Sequence, residues 1–170
     1  SSELIKEVMM DEILEILEKD SRATAEEISK MTGKSVNAVK KAIKGYEKQG
    51  VILKYKAVLN KELIRDDNIG VRALIEVNVV PQKNVGFDYL AERIYRFPEV
   101  TSCYLLSGTY DLLLIVEGKD IHTVSNFVAE KLSSMENVRG TVTHFLLKKY
   151  KEDGQILKRF EKNKRLNITL

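Results

Sequence analysis

Apolar and polar positions at the start of the chain follow the period of an α-helix. From Ile5 to Leu17 the apolar side chains recur about every 3.6 residues, which predicts an amphipathic helix over about residues 3–19. Its apolar face comprises Ile5, Val8, Met9, Ile13, Ile16 and Leu17. Residues 20–23 have the composition of a turn and end this pattern.

Two further helices are predicted between residues 24 and 50. Thr24 and Glu27 have the spacing of a capping box, and Gly33 is suited to end the short helix that they begin. Ser35 caps a third helix, which ends at Gln49-Gly50. The predicted buried stripes are Ala25, Ile28 and Met31 in the second helix and Val36, Val39, Ile43 and Tyr46 in the third. Three helices with a tight, glycine-containing turn before the last are typical of a helix-turn-helix.

The pattern changes after residue 50. Residues 51–59 are rich in strand-forming side chains and predict an extended segment, and the polar residues 60–70 predict a linker. Further on, apolar positions alternate with period two in some segments and recur at helical spacing in others. The predicted elements are a strand over 71–80, a helix from Phe87 to Phe97, strands over 100–107 and 110–117, a helix capped by Asp120 with Ile121, Val124, Phe127, Val128, Leu132 and Met135 on one face, and a strand over 138–147.

This order, β-α-β-β-α-β, is that of a ferredoxin-like split βαβ domain, so the chain is predicted to be an α+β protein. Both helices are expected to cover the same face of the sheet. Every residue from Leu112 to Val116 is apolar, which is typical of a strand that is covered on both faces. We therefore infer a homodimer that packs sheet against sheet. A central strand in a thicker monomeric core is the alternative.

The net charge of +3 conceals an uneven distribution of charged residues. Residues 34–56 carry seven lysines against one glutamate, and residues 148–170 carry eight basic side chains against three acidic ones. The stretches 1–33 and 57–147 are net acidic. A concentrated positive block is the usual electrostatic mark of a nucleic-acid contact, although many lysine runs are only solvated helix faces.

Composition narrows the classes of function. The 170 residues are 44% apolar, which suffices for one ordinary domain or two small ones. No stretch approaches the roughly 18 apolar residues of a transmembrane helix, and no signal-peptide pattern is found, so no membrane partner and a cytoplasmic location are expected. With Cys103, His122 and His144 as the whole set of cysteines and histidines, neither disulfides nor a metal site are predicted. No catalytic motif stands out, and neither enzymatic activity nor a cofactor is predicted.

Three stretches together resemble the leucine-responsive and asparagine regulator family of transcription factors, Lrp/AsnC. They are Asp20 to Ile52, then Phe97-Pro98-Glu99-Val100 with the turn Gly108-Thr109-Tyr110-Asp111, and finally Val138 to Thr143. The resemblance spans residues 9–147. It implies a winged-type helix-turn-helix domain over 1–56, a connecting strand and linker over 57–70, and a ferredoxin-like effector-binding and dimerisation (RAM) domain over 71–147. A basic C-terminal extension over 148–170 follows, and beyond Lys151 it has no counterpart in the family pattern. Two positions depart from the family pattern, because Gly45 interrupts the third helix and Tyr46 stands where a leucine is usual.

Membership of the family implies a sequence-specific transcriptional regulator that binds double-stranded DNA. The residues predicted to contact DNA are Lys34, Ser35, Asn37, Lys40, Lys41 and Lys44. Since the first turn of a recognition helix reaches base edges in the major groove, Asn37 is expected to pair with adenine. The lysines are expected to contact phosphates. Such contacts position the protein on the duplex but do not distinguish one DNA sequence from another.

The resemblance also implies that an amino acid or related small effector binds in the second domain. Asp111 is a candidate partner for an ammonium group, and Gly108 allows a close backbone approach. Tyr110 is predicted to form an apolar wall, with Thr141 and Thr143 as hydroxyl partners. An ordinary hairpin corner is the alternative interpretation of this turn.

The family further implies assembly of dimers into larger forms such as octamers. An architectural DNA-bridging protein without an effector is the alternative function.

Overall fold

The computed structural model describes residues 8–65, 67, 69–80 and 86–157. The contacts between residues divide the chain into two compact units, with the boundary between Leu59 and Asn60. The first unit contains α1 (Glu12–Lys19), α2 (Ala25–Thr32) and α3 (Val36–Lys48). The second contains β1 (Val71–Val79), α4 (Gly86–Tyr95), β2 (Val100–Leu105), β3 (Leu112–Gly118), α5 (Ile121–Phe127), β4 (Val138–Phe145), β5 (Lys151–Glu152) and β6 (Gln155–Ile156).

The three helices of the first unit begin at side-chain caps. Asp11 accepts a hydrogen bond from the Leu14 amide at 3.0 Å and so caps α1. The predicted capping box of α2 is confirmed, because the Thr24 amide donates to Glu27 and the Glu27 amide donates to the Thr24 hydroxyl. The buried core that the helices share comprises Ile13, Leu17, Ile28 and Val39.

Several predictions for this unit are wrong. The cap at Asp11 starts α1 at Glu12, whereas the pattern predicted a helix from residue 3; Val8 and Met9 are exposed, and residues 1–7 lie outside the described residues. Met31 is 67% exposed, since it and Ala25 lie about 120° apart around α2 and the core packs on the Ala25 side. Residues 57–59, where the resemblance implied the start of a connecting strand, belong to none of the described strands; the prediction of an extended segment over 51–59 is not contradicted.

The second unit is an antiparallel four-stranded sheet in the order β2-β3-β1-β4, so the predicted β-α-β-β-α-β arrangement is confirmed. Val77 of β1 lies opposite Leu112 of β3 and Thr141 of β4. Helices α4 and α5 cover one face, where the strands contribute the buried side chains Ala73, Ile75, Val77, Val79, Leu112, Leu114 and Val116. The other face, which we call the open face, carries Leu74, Glu76, Tyr104, Leu113, Ile115, Val142 and His144.

The strand and helix limits differ from the predicted ones at the loops. β2 ends at Leu105 and β3 begins at Leu112, because residues 106–111 form the connection around Gly108. β4 ends at Phe145 and not at residue 147. Asp120 caps α5 as predicted. Ile121, in the first turn of α5, was predicted to face the core but is 52% exposed, whereas Val124 and Phe127 are buried. Of the predicted linker 60–70, Lys61–Leu63 form a 3₁₀ turn.

The basic C-terminal extension begins with a short hairpin. Asp153 and Gly154 both have positive φ, at 48° and 76°, which is the geometry of a tight two-residue turn between β5 and β6. The hairpin is held near β1 by an ion pair of 3.7 Å between Arg72 and Glu152. Residues 158–170 of the predicted extension lie outside the described residues. Across the described part of the chain, no helix has the length and apolar character needed to cross a bilayer.

Candidate nucleic-acid interface and effector corner

The turn between α2 and α3 is fixed by hydrogen bonds of small polar side chains. Gly33 ends α2 in the left-handed region at φ 72°. The Ser29 hydroxyl donates to the Lys34 carbonyl at 2.6 Å, and the Ser35 hydroxyl accepts from the Ala38 amide at 3.2 Å. This three-residue turn therefore sets the direction in which α3 leaves α2, as a helix-turn-helix requires.

Helix α3 has one buried side and one exposed side. Val39 is fully buried, and Ile43 and Tyr46 are half-buried around it, so the predicted stripe faces the core. All six residues predicted to contact DNA are exposed: Lys34, Ser35, Asn37, Lys40, Lys41 and Lys44. Four of them line one open depression together with Ile43 and Glu47. The structure thus brings the predicted DNA-contacting residues together on one side of α3 and the turn before it.

Tyr46, one of the two departures from the family pattern, joins α3 to the start of α1. Its hydroxyl donates to the Asp11 carboxylate, and this hydrogen bond together with burial raises the pKa of Tyr46 to about 12. Burial works against the Asp11 carboxylate, but hydrogen bonds from Tyr46 and the Leu14 amide outweigh it and hold the pKa of Asp11 below its usual range. A leucine at position 46 would still pack on the core but would leave Asp11 without this donor.

Two carboxylates near the exposed lysines of α3 make contacts that the sequence did not predict. Glu26 of α2 lies 3.4 Å from the Lys40 ammonium, and Glu47 accepts a hydrogen bond of 3.0 Å from the Tyr55 hydroxyl. The pKa of Tyr55 is raised mainly by burial and to a smaller extent by this hydrogen bond. In the sequence, Glu26 belongs to the net acidic stretch 1–33, and Glu47 is the single acid of the basic block 34–56. The contact of Glu26 depends on how α2 packs against α3, for which the sequence offers no signal.

The turn Gly108–Asp111, predicted to bind an effector and called the effector corner below, lies where the β2–β3 connection meets the end of β1. The Asp111 amide donates to the Val77 carbonyl at 3.1 Å, and one Asp111 carboxylate oxygen accepts from the Val79 amide at 2.9 Å. Gly108 has φ 137°, and a Cβ there would meet nothing within 4 Å. Asp111 and Tyr110 are half-buried. The Asp111 carboxylate therefore has a structural contact within the fold, which agrees with the alternative interpretation of this turn as a hairpin corner.

The two candidate threonines lie on the far side of β1 from Asp111. Thr141 is opposite Val77 and Thr143 is opposite Ile75, so both are half-buried on the helix-covered face. Because Val77 also accepts the Asp111 amide, Asp111 and Thr141 flank the same residue of β1. Thr143 is two residues further along β4, about 7 Å from Thr141 by the rise of a strand. The structure therefore places Thr141 at the corner and Thr143 further from it.

Two family descriptions match the two units of the chain. Residues 12–52 match the winged helix-turn-helix DNA-binding family, and residues 72–156 match the Lrp/AsnC ligand-binding domain. An uncharacterised HTH-type transcriptional regulator of Bacillus subtilis, YugG, is 48% identical over 158 residues, which are 93% of this chain and 95% of that protein. The chain belongs to the Lrp/AsnC family. It is thus a DNA-binding transcriptional regulator with an effector-binding domain.

Other members of the Lrp/AsnC family support the same assignment. The HTH-type transcriptional regulator FL11 of Pyrococcus furiosus is 32% identical over 144 residues, covering 85% of this chain and 91% of that protein. Among solved structures, a transcriptional regulator of Neisseria meningitidis in complex with L-methionine is 30% identical, with a TM-score of 0.64 over 85% of this chain and 94% of that one. A feast or famine regulatory protein of M. tuberculosis, complexed with L-methionine, is 26% identical, with a TM-score of 0.64 over 88% of this chain and 100% of that one.

The Lrp/AsnC ligand-binding match also changes the interpretation of the C-terminal extension. It reaches residue 156 and so includes the β5–β6 hairpin, whereas the resemblance in the sequence predicted a domain that ends at residue 147. The hairpin that begins the extension is therefore part of the family domain.

Proposed function

We propose that the exposed side of α3 is the DNA-recognition surface, with Asn37 against a base and the lysines of α3 against phosphates. The observation that carries this proposal is the segregation within one helix: Val39 is fully buried, while Asn37, Lys40, Lys41 and Lys44 are exposed together. Ser35 supports it, because its oxygen caps α3 and its hydroxyl proton remains free to donate to a phosphate.

Neutralising the lysines and truncating Asn37 test different parts of this surface. Replacing Lys40, Lys41 and Lys44 by Gln should weaken binding to all sequences and reduce the salt slope by roughly 0.9 per lost phosphate contact per subunit. Asn37→Ala should instead lose discrimination at one base pair, by about 1–3 kcal/mol. Lys119→Gln, which removes a charge from the other unit, serves as the control. Normal DNA binding by the triple variant would show that the recognition helix is wrongly assigned.

We propose further that the open face of the sheet is the interface of a homodimer. Alternate residues of β3 support this: Leu112, Leu114 and Val116 are buried under the helices, while Leu113 and Ile115 on the open face are only half-buried. Neighbouring apolar side chains are more exposed still, with Tyr104 at 49% and Val142 at 50%. A second copy would cover these side chains symmetrically and would present two recognition helices, as required by half-sites about one helical turn apart.

Matched substitutions on opposite faces of the second unit test the dimer. Val142 on the open face and Ile121 on α5 are equally exposed, at 50% and 52%. Val142→Glu should shift the full-length chain towards monomer in sedimentation at micromolar concentration, because a dimer would bury the new charge. Ile121→Glu should not have this effect. A compact monomer in the wild type would contradict the proposal. The same sedimentation runs would show whether dimers assemble further, as an octamer requires.

We also propose that an amino acid binds at the effector corner, with its ammonium group on Asp111. The support is that Asp111 has a second carboxylate oxygen beside the one that accepts from the Val79 amide. Gly108 and Tyr110 precede it in the same connection, and Thr141 flanks Val77 from the other side of β1. Thr143 is kept as a more distant candidate. Two solved relatives are L-methionine complexes, which makes L-methionine the first ligand to titrate.

Calorimetric titration with the twenty amino acids tests this part of the proposal. Binding that is lost in a folded Asp111→Asn variant would support it, because asparagine still accepts from the Val79 amide but lacks the charge for an ammonium group. A retained response in that variant would move the site elsewhere. Absence of any binding in the wild type would favour the architectural, DNA-bridging function. We propose that in either case the chain acts in the cytoplasm and by binding rather than by catalysis, since its relatives are named as transcriptional regulators.

A further inference from the structure

An ion pair lies within the proposed DNA-recognition surface. The Glu26 carboxylate of α2 lies 3.4 Å from the Lys40 ammonium of α3, and the two side chains are 59% and 57% exposed. Lys41 and Lys44, on the same side of α3, have no carboxylate within 4.0 Å among the described residues. Lys40 therefore differs from its neighbours in having an anionic partner inside the protein.

Glu26 is held in this position by the start of α2. It follows the Thr24 cap by two residues, in the first turn, and its neighbour Glu27 is occupied by the capping box. A hydrogen bond from its own amide, and then the Lys40 ammonium, lower the pKa of Glu26. The carboxylate is therefore ionised at neutral pH, where DNA binding would be measured.

A carboxylate at this place acts against phosphate contacts. Binding to DNA of arbitrary sequence depends on the number of cations that reach phosphates, because each such contact releases counterions. Glu26, 3.4 Å from the Lys40 ammonium, offsets part of its positive charge before a phosphate arrives. A phosphate that contacts Lys40 must also come close to the Glu26 carboxylate, which repels it. An exposed ion pair contributes little to stability, so its effect on stability does not explain the arrangement.

We propose that Glu26 withholds Lys40 from DNA phosphates and thereby limits the affinity of this regulator for DNA of arbitrary sequence. This inference rests on the proposed recognition surface on α3. Glu26 is then a specificity-determining residue, because it reduces the contacts that carry no sequence information while Asn37 and its base contact are left in place.

The size of the effect follows from counterion release. Freeing one lysine for one phosphate should steepen the dependence of log K on log salt by roughly 0.9 per subunit. Between 50 and 200 mM salt, the ratio of the association constants of Glu26→Gln and wild type should therefore fall about 3.5-fold per subunit. At the lower salt concentration the variant should bind more tightly than the wild type.

The test uses the full-length chain and a duplex of mixed sequence, with affinity measured by fluorescence anisotropy at several salt concentrations. The variants are Glu26→Gln, Lys40→Gln and the double variant, with Glu18→Gln on the exposed side of α1 as the matched control for loss of one negative charge. Glu26→Gln should tighten binding and steepen the salt slope, and the double variant should lose the gain in slope. Lys40→Gln should reduce the slope less than Lys44→Gln does.

Two results would overturn the inference. One is a Glu26→Gln variant that binds no more tightly than Glu18→Gln. The other is an equal steepening by Glu26→Gln with and without Lys40, because this would show only general repulsion by the carboxylate. A failure of the recognition surface itself would look different. In that case Lys41→Gln and Lys44→Gln would also leave the affinity and the salt slope unchanged.

Discussion

Replacing Tyr46 by phenylalanine should lower the free energy of unfolding of the first unit by the contribution of one hydrogen bond. The change removes only the hydroxyl that donates to Asp11 and leaves the ring packed beside Val39 and Ile43. Hydrogen bonds to charged groups contribute about 1.5–3 kcal/mol when buried. Both partners are only half-buried, so we expect a loss at or just below the lower end of that range, about 1–1.5 kcal/mol.

Hydrogen exchange of the α1 and α3 amides, followed by mass spectrometry, measures this loss within the first unit alone. A loss of about 1–1.5 kcal/mol should lower the protection factors of amides that exchange by unfolding of this unit about 5- to 13-fold at pH 7. Tyr55→Phe is the matched control, because its hydroxyl also donates to a carboxylate, that of Glu47, but from an exposed position. That control should change protection by less than about threefold, as expected for an exposed pair worth up to about 0.6 kcal/mol.

The difference between Tyr46→Phe and wild type should also depend on pH. Since the pKa of Asp11 is lowered from 3.8 in the folded state, the contribution of its ionised form is present above pH 3.8 and is lost as the pH falls through the folded value. The pKa of Tyr46 is raised from 10.0 to about 12, so the contribution of the neutral hydroxyl is lost only as the pH rises from 10 towards 12. Equal protection of variant and wild type at pH 7, or a gap that does not shrink in acid, would refute the reasoning.

Substitutions at three further positions have defined outcomes. Gly45→Ala should stabilise α3 by about 0.5–1 kcal/mol, seen as a higher Tm, because a Cβ at this helical position would meet nothing within 4 Å; a lower Tm would show a contact that the fold does not contain. Asp111→Ala should destabilise the second unit by about 1–3 kcal/mol in urea unfolding, since it leaves the Val79 amide without its acceptor, and Asp111→Asn should recover most of that loss. Gly70→Ala should cost about 1–3 kcal/mol, because its Cβ would lie 2.5 Å from the Gly118 carbonyl oxygen; an unchanged unfolding midpoint would contradict this.

Features that depend on neighbours in the chain could be predicted from the sequence. The capping box at Thr24 and Glu27, the Gly33 end of α2 and the cap at Ser35 involve residues three or four positions apart. The stripe on α3 and the alternation in β1 follow from the periods of helix and strand alone. The order of the elements, and with it the α+β fold and the exposed lysines of α3, followed from these local patterns.

Other features depend on which elements pack together, and local patterns contain no information about that. Met31 has the spacing of a core residue, but the core lies on the other flank of α2 and leaves it exposed. Asp111 was expected to be available to a ligand, but the end of β1 brings the Val79 amide to it. Glu26 and Lys40 are fourteen positions apart and meet only because α2 packs against α3. The net charge on the exposed side of α3 was therefore decided by tertiary packing, because the strength of an ion pair depends on distance in space and not on separation along the chain.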